Sequence, residues 1–71
     1  MTNDTFAIRL LRAKSMRGLN QLQLAHRLQM SASVVCKWES GDALPNIESL
    51  VKLAKALGVS TDYLCGLIDL K

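Results

Sequence analysis

A chain of 71 residues holds one domain with a small core. At this length only about 60% of the surface exposed by the unfolded chain is buried, which excludes a substrate domain or a large cofactor pocket beside it. The net charge of +3 is unevenly spread: residues 1–37 carry six cations against Asp4 alone, and residues 38–71 carry three against five acids. A basic half beside a mildly acidic one suits a surface that faces a polyanion, the alternative being an ordinary solvated surface.

Hydrophobic residues make up 49% of the chain, yet Phe6, Trp38 and Tyr63 are its only aromatics, a balance that suits packed helices of Leu, Ala and Val. Short runs are separated by polar or glycine-containing breaks and none alternates at period two, so the fold class is all-α. The first helix is predicted over about Asp4 to Met16. Phe6, Leu10 and Ala13 form its apolar stripe, Asp4 or Asn3 caps its start, and Gly18 ends it; Leu11 and Met16 lie off the stripe. The second begins at the N-cap Asn20, with Leu24, Ala25 and Leu28 inward, and breaks around Gln29 and Met30. Ser31 caps a third helix over about Ala32 to Ser40, with Val35 and Trp38 inward and Gly41 at its end. A loop with Pro45 leads to a fourth helix over about Ile47 to Leu57, whose stripe is read as Ile47, Leu50, Ala54 and Leu57 and which Gly58 closes. Ser60 caps a short fifth helix through Tyr63 and Leu64 to about Cys65, and Gly66 stops it.

The informative stretch is Gln21 to Ser40. Leu24, Ala25, Leu28, Met30, Val35 and Trp38 are apolar or small at the spacing needed by two helices that cross steeply at a tight turn. Small Ala25 permits close approach, Met30 plugs the turn, and Val35 and Trp38 pin the third helix. Ala32, Ser33, Cys36 and Lys37 then project outward together, on a helix able to enter a major groove about 12 Å wide. Lys37 suits guanine O6/N7 or a phosphate, Ser33 either kind of partner, and Ala32 only apolar contact such as a thymine methyl.

The run Gly18-Leu19-Asn20-Gln21, with Leu24-Ala25, Trp38-Glu39-Ser40-Gly41, Pro45, the segment Leu53 to Ser60, and Asp62-Tyr63-Leu64, resembles the phage repressor and Cro-like helix-turn-helix family of the xenobiotic-response-element type. The resemblance covers about Arg9 to Gly66. It implies a compact five-helix lambda-repressor-like domain over 1–71 that binds double-stranded DNA, a transcriptional regulator and most often a repressor, working as a homodimer on a palindrome. It implies base reading by Ala32, Ser33, Cys36 and Lys37. Backbone contacts are implied from Gln21, Asn20, Ser31 and Ser40, and Lys14 and Glu39 match a position pair that usually holds an Arg–Glu ion pair. Arg12 and Arg17 are the remaining backbone expectations, from charge rather than resemblance.

This sequence departs from the family pattern in four places. Gln29 stands where glycine is common, Leu11 replaces a polar or basic residue, the loop Asp42-Ala43-Leu44 carries an acid in place of cations, and the reading face has one cation. Such a face implies modest affinity per subunit and reliance on dimerisation or indirect readout. The alternative function is a protein-docking module, an antitoxin or anti-repressor partner, on the same fold.

The rest of the chain points to no chemistry. Cys36, Cys65 and His26 share no metal-ligand spacing, so both thiols are expected reduced and no cofactor, metal or small-molecule ligand is expected. Nothing resembles a catalytic pair, so an enzyme is not expected. No stretch reaches the roughly 18 apolar residues of a membrane span and the start lacks a signal-peptide pattern, so a cytoplasmic location is expected. The apolar tail residues Leu64, Leu67, Ile68 and Leu70 are read as a dimer contact, with closure of the core as the alternative.

Overall fold

A computed structural model of the chain describes residues 2–69. Five helices follow in order: α1 (Asn3–Met16), α2 (Gln21–Leu28), α3 (Ala32–Ser40), α4 (Ile47–Leu57) and α5 (Thr61–Leu64). Every helix starts on a side-chain cap. Asn20 and Gln23 form a reciprocal capping box at α2, Ser31 caps α3, Asn46 caps α4 and Ser60 caps α5. At α1 the cap is Thr2, whose hydroxyl accepts from the Thr5 amide at 3.1 Å, and not Asn3 or Asp4. Asn3 instead donates its side-chain amide to the Gly41 carbonyl at 2.9 Å, tying the start of α1 to the end of α3.

α1 packs on α3 and α5, α2 packs on α3 and α4, and α4 meets α5. Phe6 and Leu10 from α1, Leu24 from α2, Val35 from α3, Leu53 and Leu57 from α4, and Leu64 from α5 are fully buried at the centre. Trp38 and Tyr63 fill the same core. The stripe expected on α4 is rotated. Ile47 is 82% exposed, and the inner face is Ser49, Leu53, Ala54 and Leu57 with Leu50 half-buried. In the first turn the inward place is taken by Ser49, about 200° around the helix from Ile47. In the tail, Leu64 closes the core, whereas Leu67 and Ile68 are 72% and 42% exposed, and Leu70 lies outside the described residues.

The turn between α2 and α3 is made by Gln29 at φ 57° and ψ 41°, the one non-glycine residue with positive φ among those described. The Met30 amide returns to the Ala25 carbonyl at 3.0 Å and closes the helix end. An L side chain in this region costs roughly 1–2 kcal/mol, which the unfolded-state entropy of glycine offsets in part. Gln29→Gly is therefore expected to stabilise the fold by about 0.5–1 kcal/mol, raising Tm by roughly 2–6 °C in a thermal melt. An unchanged or lower Tm would show that the turn is not strained.

Candidate nucleic-acid interface

The C-terminal end of α3 is anchored to α1 and α2, and its outer face stands free. The anchor is Glu39, a largely buried carboxylate. Its Oε1 accepts from Gln21 Nε2 at 3.1 Å and its Oε2 lies 2.6 Å from Lys14 Nζ. One carboxylate thus joins the end of α1, the start of α2 and the end of α3. The contact between the ammonium and Oε2 is a short, largely buried ion pair. A lysine delivers a point charge where an arginine would present a planar fork.

Beyond the anchor, Val35 and Trp38 point into the core, and the 100° step of the helix sets everything else. Ser33, Lys37 and Ser40 form the outermost line and all are exposed; Cys36 is exposed on one flank and Ala32 is half-buried. These four base-reading candidates, Ala32, Ser33, Cys36 and Lys37, therefore share the accessible side of α3. The opposite flank carries Val34, 38% exposed, which sequence reasoning did not include in the site. Its signal was available, because it adjoins the inward Val35 and cannot share that residue's direction.

The polar residues around α3 retain unequal capacity. Ser31 Oγ accepts from the Val34 amide at 3.4 Å and keeps its own proton to donate. Asn20 Oδ1 accepts from the Gln23 amide at 2.8 Å, leaving its NH2 group available, and Gln21 retains one N–H beyond the bond to Glu39. Ser40 donates its hydroxyl proton to the Lys37 carbonyl at 3.1 Å, so it faces outward as an acceptor. A phosphate would have to draw that proton away.

Arg12 and Arg17 are not brought to this surface. Arg12 lies about 200° around α1 from Lys14, in a surface hollow with Arg9, Leu11, Tyr63 and Asp69 on the α5 side. Arg17 donates Nε to the Leu57 carbonyl at 2.8 Å and packs over Gly58, capping the C-terminus of α4 where carbonyls are unpaired. Arg9 has a structural task of the same kind. Its guanidinium lies 4.6 Å from the Tyr63 ring centroid, bonds Asp69 Oδ1 at 2.7 Å and donates to the Ile68 carbonyl at 3.1 Å. It holds the tail across α1 and α5, over a sequence distance no local pattern reveals.

Two helices joined by a tight left-handed turn, the second braced by the first and presenting its outer side, inside a five-helix ring, form a lambda-repressor-like helix-turn-helix domain. Residues 8–64 match the helix-turn-helix family HTH_3, and the chain belongs to that family. Over 46 residues it is 48% identical to the transcriptional repressor RstR of the cryptic phage CTXphi from Vibrio cholerae, a match that covers 65% of this chain and 41% of that repressor. Its fold superposes on the restriction-modification controller protein C.AhdI from Aeromonas hydrophila with a TM-score of 0.81 and 29% identity, over 87% of this chain and 94% of that one. It also superposes on hydroxypropylphosphonic acid epoxidase from S. wedmorenis with a TM-score of 0.82 and 25% identity, over 89% of this chain but 34% of the enzyme. The chain thus spans less than half the length of the cholera-phage repressor and about a third of the epoxidase.

Proposed function

We propose that this chain binds a short palindromic operator in double-stranded DNA as a homodimer and regulates transcription, by repression, in the cytoplasm of a bacterium. The observation that carries this reading is the form of α3. Glu39 locks its C-terminal end to Lys14 and Gln21, while Ser33 and Lys37 stand on its exposed outer face. The kinship with a phage repressor supports repression in particular. A helix so held docks in the major groove, and Asn20, Gln21 and Ser31 lie at helix starts with donors left for phosphate oxygens. Two copies joined through the tail would set their reading helices about 34 Å apart, one helical turn of DNA. Exposed Leu67 and Ile68, held in place by Arg9, support that contact.

Selection of bound sequences from a random duplex pool tests the reading. The expected result is an enriched palindrome, and sedimentation at tens of micromolar protein should show a dimer. A clean monomer both free and on DNA would remove the dimer. Recovery of no motif by a folded protein would remove sequence-specific binding.

The second reading, a protein-docking module, is favoured by the fate of the first-helix arginines. Arg9, Arg12 and Arg17 all turn elsewhere, leaving few cations near α3. Salt separates the two readings. Binding to phosphate weakens steeply as salt rises, with a log–log slope of about −0.9 per phosphate contact, whereas a mainly apolar partner interface holds its affinity.

A further inference from the structure

Val34 lies outside the buried core and is 38% exposed, whereas Ala32 is half-buried on the core edge. A β-branched residue also restricts its own rotamers in a helix and lowers helix propensity, so it brings no gain to α3 by itself. It sits in the first turn of α3, where Ser31 caps its amide. The side chains around it are chemically sparse. Ala32 and Val34 offer only methyl groups, Cys36 a weakly polar thiol, and between the Ser31 cap and Trp38 the strong hydrogen-bonding side chains of α3 are Ser33 and Lys37.

In the major groove every base edge presents nitrogen or oxygen donors and acceptors, and thymine alone among the four standard bases adds a methyl group. An isopropyl group pressed on a guanine or cytosine edge would strip water from polar atoms and return no hydrogen bond. Pressed on a thymine methyl, it buries apolar surface on both sides.

We propose that α3 selects its site chiefly through thymine C5-methyl groups, with Val34 and Ala32 as the methyl-contacting residues and Lys37 as the main polar reader. The inference rests on the DNA-binding reading above and assigns that site a ligand chemistry: half-sites in which thymine methyls face the first turn of α3.

Deoxyuridine tests this directly, since it pairs as thymidine does and lacks only the methyl. Each thymine of the duplex enriched by selection is replaced in turn, and binding is measured for the wild-type chain and for Val34→Ala. The expected result is a loss of about three- to fourfold in affinity at one or more thymines per half-site, the worth of one buried methyl. Val34→Ala should abolish that loss at one of these positions while the domain stays folded at the assay temperature, since the side chain lies outside the buried core and alanine raises helix propensity. If the wild-type chain binds its selected site specifically but no deoxyuridine substitution shifts affinity by more than about 1.5-fold, or if Val34→Ala retains every such shift, the inference is overturned while sequence-specific binding stands. If selection yields no site at all, the DNA-binding reading falls and the inference with it.

Discussion

Glu39→Ala is expected to destabilise the domain by about 2–3 kcal/mol and to lower Tm by roughly 10–20 °C. Glu39 and Lys14 are both largely shielded from water and 2.6 Å apart, and Gln21 shares the same carboxylate. Removing Glu39 leaves an ammonium in a poorly solvated place with no counter-charge, and an amide with no acceptor. The cost is of the kind measured for broken buried pairs, set toward the lower end because the site borders solvent. Circular dichroism melts of the single variant and of Lys14→Met/Glu39→Leu separate the charge effect from packing. The double replacement should recover most of the loss, since neither charge then remains to be desolvated. A single variant that melts within about 2 °C of the wild type would show that the carboxylate does not hold the helices together. Loss of the brace should also weaken DNA binding at temperatures well below Tm, because α3 would lose its fixed tilt relative to α2.

Lys37→Ala is expected to reduce affinity for the selected site by about 10- to 100-fold while nonspecific binding falls far less. The side chain is on the outermost line of α3, exposed, and without an ion-pair partner among the described residues. Its contact with a guanine edge would be made only at the right sequence, which is why the loss should be selective. Titrations on specific and random duplexes at two salt concentrations measure both quantities. An equal loss on both duplexes, with the salt slope reduced by about one phosphate contact, would reassign Lys37 to the backbone.

Much of the fold was legible because its signals are short-range. Asn20, Ser31 and Ser60 each accept from an amide three residues ahead, and Gly41 and Gly58 end their helices in the left-handed conformation, so each boundary is written within one turn. Gln29 belongs to the same class: its position fixed the positive φ although the residue type opposes it. The cap of α1 was less legible, because Thr2, Asn3 and Asp4 are all able cap residues. The choice was settled by Asn3 being engaged at Gly41, 38 residues away. The α4 stripe failed at Ile47 for a related reason. A stripe read from apolar residues alone passes over Ser49, the polar residue that takes the inward place in the first turn and leaves Ile47 outside.

The outward group on α3 followed from the inward one, since Val35 and Trp38 together set the helix rotation and leave Ser33, Cys36 and Lys37 facing away. The sequence by itself therefore determined the helices, the caps of α2, α3 and α5, the family, and the outward placing of Ser33, Cys36 and Lys37 on the third helix. Only the tertiary structure decided the partners of the long charged side chains. Lys14 in the last turn of α1 and Arg17 at its C-cap, three residues apart, go to Glu39 and to the end of α4, and Arg9 crosses to the tail. The difference is physical: caps and stripes are enforced by a local hydrogen-bond ladder, whereas a flexible guanidinium or ammonium takes whichever anion or carbonyl the packing of distant helices brings within reach.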